Sequence, residues 1–353
     1  MHSSTAPDTR RATPAQAGSA ARGSAYAQLS GLIKRDGLLD RRPGSYIGHA
    51  TLLVAACAVG IAMLVLVGDS WWQMMVAVYF AVLSTQLGFL GHDAGHRQIL
   101  RSKRANYRLG VLVANLGVGF SYGWWIDKHN RHHAHPNDED KDPDVGPGAL
   151  VFTRAQALRG GPVARAWYRW QAWLFFPLLL LEALNLRVAS VRYLLDRRGG
   201  ARVAEAALIS LHVAGYLALV LVVMSPLPAV LFIVVHQGLF GLYLGCCFAP
   251  NHKGMPALSP AEDADYLLRQ VLTSRNVRGH WLTDLAMGGL NYQIEHHLFP
   301  SMPRCNLRAA QPIVKAFCAD RGVSYLETDL VASFAEALRH LDQVGRSRPS
   351  VAM

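Results

Sequence analysis

The chain has 353 residues, of which 51% are hydrophobic and only 17% charged, and its mean hydropathy is +0.16; this points away from soluble multidomain proteins and towards the membrane class. A net charge of +11 would suit a nucleic-acid partner, but the cations flank apolar runs instead of forming one basic face, so no nucleic acid is expected. The five cysteines make no CxxC pattern, which argues against a disulfide framework or a zinc ribbon.

In chain order, residues 1–25 are Ser-, Ala- and Arg-rich without an apolar core, and read as a disordered extension. Residues 26–345 read as one membrane domain and residues 346–353 as a tail. Crossing a bilayer takes about 18 apolar residues or more, and the runs at about 46–68, 71–90, 206–224 and 226–248 qualify. Leu109–Phe120 and Ala172–Leu181 are shorter and flanked by charge, so they read as interfacial or partly inserted helices. Lys34, Arg35, Arg41 and Arg42 precede the first run, Arg97 to Arg108 follow the second, and Arg187 to Arg202 precede the third. The turns at Asp69–Ser70 and around Ser225 carry no Lys or Arg. The positive-inside rule then has both hairpins enter from the cytoplasm, with both termini and all segments between the hairpins cytoplasmic, in a plasma membrane. Arg304–Arg346 has soluble amphipathic patterning, with Leu330, Phe334, Leu338 and Leu341 on one stripe, and is expected to cover the cytoplasmic domain. The expected fold is an all-α integral membrane protein: four transmembrane helices in two hairpins, and a cytoplasmic helical domain carrying a histidine-rich site for two metals.

The histidines carry that last expectation. His92 and His96 are four apart just past the second run, on one helical face. His129, His132 and His133 stand at i, i+3 and i+4, and Gln293, His296 and His297 repeat the same offsets far downstream. His252 falls just past the fourth run. With 15 histidines in the chain, a chance HxxHH is expected on the order of 0.03 times. Eight histidines without cysteine exceed one four-coordinate zinc site, so two metals are implied. A nitrogen-rich shell with open positions suits iron that handles dioxygen, although ligand type alone leaves copper and manganese open.

HDAGH (92–96), HNRHH (129–133) and QIEHH (293–297) resemble the three histidine boxes of the membrane fatty-acid desaturase family. The likeness extends through HPNDEDKDPD, FAPNHKGMP and GGLNYQIEHHLFPSMPR, and covers roughly residues 30–345. It implies a membrane enzyme with two iron ions that uses dioxygen as co-substrate and two external electrons to remove two hydrogens from a lipid acyl chain. It also implies His92, His96, His129, His132, His133, His296 and His297 as ligands, with His252 carried over as a further one. Gln293 takes a ligand-equivalent position where many relatives have histidine, and an amide oxygen is the weaker donor. Membrane hydroxylases and monooxygenases of lipids or alkanes are the alternative. A metal transporter would need ligands along the bilayer interior.

A metal-bound imidazole passes its other ring proton to a carboxylate or carbonyl, and Asp93, Asn251 and Glu295 are the candidates beside the boxes. The stretch Asp138–Asp144 is acidic, but a solvated loop explains it equally. His212 and His236, inside the apolar runs, read as hydrogen-bonded structural groups. Tyr122, Trp124, Trp125 and Tyr243, with Gly241 and Gly245, are candidate walls of a narrow apolar tunnel. The chain has no heme, flavin or iron–sulfur pattern, so electrons are expected from a separate ferredoxin or cytochrome b5-like protein with its reductase.

Overall fold

The computed structural model describes residues 14–256, 258 and 265–348. Residues 1–13 and 349–353, within the expected extension and tail, lie outside the described residues. The chain is helical from Pro14, inside the stretch expected to be disordered to Ala25: α1 spans Pro14–Arg35, through an Ala-rich run that favours helix.

Among the described residues, four helices are long and apolar enough to cross a membrane: α2 (Pro43–Val67), α3 (Gln73–Gly95) and, later in the chain, the helices over Gly200–Val223 and Pro226–His252. They match the four runs in place, but α3 continues past Leu90, so His92 belongs to the spanning helix itself. α4 (Lys103–Val111) passes into a π-helical stretch, Leu112–Val118, and then turns by 114° into α5 (Tyr122–Ala134), which bears the second box. α6 (Arg154–Arg159) and α7 (Pro162–Tyr168) lead to α8 (Gln171–Leu179), bent by 74° against α9 (Glu182–Asp196). These two bent pairs hold the apolar pieces read as partly inserted. α10 (Gly200–Val223) and α11 (Pro226–His252) complete the spanning set.

Beyond them, α12 (Tyr266–Leu272), α13 (Trp281–Ala286), α14 (Gln293–Leu298), α15 (Arg304–Ala319) and α16 (Leu330–Gly345) form a cap. Two short strands depart from the all-α expectation: β1 (Asn276–Val277) pairs in parallel with β2 (Glu327–Thr328), tying the cap's middle to its end.

Side chains such as Leu66 on α2 and Val222 on α10 are 85% exposed, so the spanning helices present an apolar belt outward that only lipid tails satisfy. Inside, α3 packs along α11, with Val76, Ala77, Ala229 and Phe232 buried between neighbours. A methyl on Gly241 of α11 would lie 2.6 Å from the Leu179 carbonyl, so its absence lets the α8–α9 bend approach. In the turns of the two hairpins Asp69 Oδ1 accepts from the Ser225 amide and hydroxyl, each at 3.0 Å, joining the hairpins. In α16, Leu341 is buried while Leu330 at the stripe's start is exposed, and the helix packs on α8 and α11 as the expected cover.

The start of α5 is set by a buried carboxylate. Glu205 of α10 accepts from Ser121 Oγ (2.7 Å), the Gly123 amide (3.1 Å) and Asn115 Nδ2 (3.1 Å), which supplies negative charge at the positive end of the helix dipole. Tyr122 is then wedged against α4, where a methyl on Gly110 would overlap its ring. Gly110→Ala should therefore destabilise the protein by about 1–3 kcal/mol through overpacking. In a thermal melt in detergent, the added substitution Tyr122→Leu should recover part of the loss.

Candidate metal centre

The three boxes meet at the cap side of the spanning helices. α3 and the turn after it bring His92 and His96, α5 brings His129, His132 and His133, α11 ends in His252, and α14 brings His296 and His297. Two sets of nitrogens result: His92, His96, His129 and His296 form one, and His132, His252 and His297 the other, with the ligand atoms of each set within 4.8 Å of one another. His133 stands between them, its ring centroid 4.6 Å from His129 and 4.2 Å from His297. Each set could hold one ion.

Several features fit such ions. His96 Nε2 and His129 Nε2 lie 2.8 Å apart, close to the roughly 3 Å separation of two imidazoles sharing an ion at about 2.1 Å. The Nε2 atoms of His92, His296 and His297 are buried without a hydrogen-bond partner, a cost that a bound cation removes. Burial first, then repulsion between neighbouring rings, holds the imidazoles of His96, His129, His133, His296 and His297 well below their ordinary pKa. They are neutral and ready to donate lone pairs.

The opposite ring nitrogens are tied back. His132 Nδ1 donates to Asp142 Oδ2 (2.9 Å), His297 Nδ1 to Gln270 Oε1 (2.9 Å), and His252 Nδ1 to the Thr273 carbonyl (3.1 Å). Each bond fixes a tautomer that leaves Nε2 free. Asp93 is 3.5 Å from His92 Nδ1 and pairs with Arg304 Nε at 3.1 Å. Glu295 differs from expectation: it meets no imidazole, because its carboxylate turns to Asn276 Nδ2 (2.7 Å) and the Tyr325 hydroxyl (2.8 Å), off the ligand face of α14. Burial raises its pKa to about 7 against those two bonds.

Gln293 places its amide 2.9 Å from His252 Nε2. Behind it, Asn251 Nδ2 donates to the Cys247 and Leu290 carbonyls (3.1 Å each) and faces Gln293 Oε1 at 3.4 Å.

Asp142, Gln270, Thr273 and Arg275 were not legible as site residues. Arg275 is fully buried; it donates to the Pro250 and Lys253 carbonyls around His252, to the Ser333 carbonyl and to the Glu336 carboxylate. Asn276 Oδ1 accepts from the Ile294 amide (2.9 Å) at the head of α14. Gln270 Nε2 also donates to the His133 carbonyl (3.0 Å), so residues 270–276 hold α5, the end of α11 and α14 together. Only the acidity of 138–144 hinted at Asp142, since its pairing with His132, ten residues earlier, is made across a loop and follows no helical or strand spacing.

A cavity of about 340 Å³ runs beside the histidines. Tyr122, Trp124, Trp125, Phe240 and Gly245 line it, as do His92, His129, His132, His252 and Gln293. Trp125 stacks on His129 with centroids 4.5 Å apart. Tyr243 is not in the wall: one position off the Phe240–Leu244 face of α11, its hydroxyl donates to the Ala286 carbonyl at 2.7 Å. His236 bonds Tyr216 (2.9 Å) and Ser84 (3.1 Å), and His212 donates to the Leu116 carbonyl (2.8 Å), so both are structural groups away from the cluster. Replacing Asp142 by Asn should lower metal affinity by about 10–100-fold, because His132 loses its orienting carboxylate; metal content after dialysis against a graded chelator measures it.

The comparisons with known proteins agree with this geometry. The fatty acid desaturase family matches residues 69–329. The chain is 30% identical over 322 residues to the Delta(5) fatty acid desaturase fat-4 of Caenorhabditis elegans, covering 88% of this chain and 71% of that one. It is 31% identical over 291 residues to the Delta(6)-fatty-acid desaturase fat-3 of the same organism, covering 76% and 64%. With the Acyl-lipid (9-3)-desaturase of Physcomitrium patens it shares 27% identity over 338 residues, covering 91% of this chain and 63% of the relative's length. Four apolar spans, histidines gathered at their ends and a match over most of its length make the chain a member of the fatty acid desaturase family.

Proposed function

We propose that the chain is a dioxygen-dependent desaturase of lipid acyl chains, acting with two iron ions. The observation that carries this is the pairing of two all-nitrogen donor sets, joined by His133, with a slender cavity that reaches both. His92, His96, His129 and His296 would hold one ion, and His132, His252 and His297 the other, with Gln293 at the second once its amide is turned to present Oε1. When bound, the ions would use dioxygen and two external electrons to remove two hydrogens from adjacent methylenes.

The protein's own groups do the positioning. Asp142, Gln270 and the Thr273 carbonyl hold the ring protons of His132, His297 and His252, so these imidazoles keep one orientation with the Nε2 lone pair turned to the centre. Trp125 and Phe240 confine the chain laterally, and a cavity of about 340 Å³ is near the lower limit for ligand sites. An acyl chain filling it excludes water and sets which carbons face the histidines. The substrate would be an acyl-CoA or an acyl lipid, in keeping with relatives named as Delta(5), Delta(6) and acyl-lipid desaturases. Electrons would come from a ferredoxin or cytochrome b5-like donor docking on the basic cytoplasmic face. The same donor sets could serve oxygen insertion, and the relatives' names favour desaturation.

Expression in a lipid-producing host, followed by mass spectrometry with double-bond localisation, tests the reading. New unsaturated chains should appear with the wild type, at about two irons per purified chain, and both should be lost in His297→Ala; hydroxylated chains alone would refute it. In the topology proposed here, which the cation distribution supports, the histidine boxes face the cytoplasm, the membrane is the plasma membrane and Ser70 is outside. Ser70→Cys should accordingly react with an impermeant thiol reagent in intact cells, and labelling only in inverted vesicles would reverse the topology.

A further inference from the structure

The same cavity is lined by two lysines to which the reading above gives no part. Lys128, one residue before His129, and Lys253, one residue after His252, both line it, together with Asp144, Glu182 and Asn185. Lys128 Nζ pairs with Asp144 Oδ1, and Lys253 Nζ donates to the Asp144 main-chain carbonyl at 2.7 Å while lying 3.9 Å from the centre of the Phe152 ring. Asp144 Oδ2 is also 3.4 Å from His132 Nδ1. One residue therefore touches both ammonium groups and a histidine of the second set.

An ammonium carries three donors. Among the described residues, Asp144 occupies one on each lysine, and the Phe152 ring shields a further side of Lys253. The lysine and carboxylate of the Lys128–Asp144 pair keep 30% and 31% of their side-chain surfaces open, and both line the cavity. Each ammonium thus has donor capacity beyond its contact with Asp144, on a side chain that lines the cavity.

The charge balance says which acceptor suits them. Two ammonium groups face the carboxylates of Asp144, Glu182 and Asp142, the last of which also accepts from His132 Nδ1 and the Asn137 amide. A site so nearly neutralised has little field to hold a phosphate dianion. It can satisfy a neutral oxygen that would otherwise lose its water on entering the cavity.

We propose that Lys128 and Lys253 bind the carbonyl oxygen of the acyl substrate's ester or thioester. This rests on the acyl-chain reading above and deepens it, because it orients the chain in the cavity. The carbonyl end lies against His132 and His252, and the reacting methylenes are selected by counting carbons from that end.

The probes are two matched pairs: stearoyl-CoA with its thioether analogue lacking the carbonyl, and diacyl phosphatidylcholine with its dialkyl ether. Binding to the iron-loaded full chain in detergent is read from quenching of tryptophan fluorescence, to which Trp124 and Trp125 in the cavity wall contribute. The wild type should bind the carbonyl-bearing member of one pair roughly tenfold more tightly, the worth of one hydrogen bond to a charged group, and the pair that responds identifies the carrier. Lys253→Met and Lys128→Met should each narrow or abolish that preference at unchanged iron content, and Lys253→Arg should keep part of it. Wild-type indifference to the carbonyl in both pairs overturns the proposal, as does a full preference surviving in both methionine variants. In either case the production of unsaturated lipid by the wild type remains as the separate check on the desaturase reading, whereas failure of all four compounds to bind sinks both.

Discussion

Eight imidazoles must stand side by side, largely away from water, before a cation arrives. Bringing polar nitrogens together in a dry place is costly unless each has a partner. The fold meets this by dividing the ring atoms: one nitrogen of His132, of His252 and of His297 is bonded to Asp142, Thr273 or Gln270, and the other is left for the centre. The cap exists largely to supply those partners. Its helices α12 and α14 and the strand β1 contribute Gln270, Asn276, His296 and His297 from less than thirty residues of chain.

The membrane part sets a second requirement. α3 and α11 run beyond the apolar zone and deliver His92 and His252 from rigid spanning helices, so two of the donors are positioned by the packing of the bilayer core. α5 turns sharply away from the preceding helical segment, and the Glu205 carboxylate fixes where it starts. The HxxHH face therefore lies across the helix ends, with the cavity between it and the α8–α9 bend. A chain entering there meets aromatic walls on the way to the nitrogens.

Much of this could be read from the sequence because its signals are periodic or local. Four apolar runs announce the spans, the i, i+3, i+4 offsets put three donors on a face, and the clustering of boxes past the run ends foretells their meeting. His252 was also visible, through its place after the fourth run. What stayed hidden depends on contacts distant in sequence. Asp142 looked like a solvated acid, and Arg275 like any cation between elements, because their partners are set by the fold. Glu295 and Tyr243 misled for a simpler reason: neighbours of a functional position point about 100° or more away from it on a helix, and both side chains make structural hydrogen bonds instead.

The Arg275 clamp gives the centre a dependence on the order of synthesis. His92, His96, His129, His132 and His133 leave the ribosome early and can fold with the first hairpin, but the grip on the end of α11 needs Ser333 and Glu336 of α16. Until that last helix docks, Arg275 is a buried cation without its carboxylate, a state that opposes burial of the whole 270–276 segment. Both donor sets wait on α14, which supplies His296 to one and His297 to the other, so neither is complete until the segment that Arg275 anchors has folded against α11 and α16.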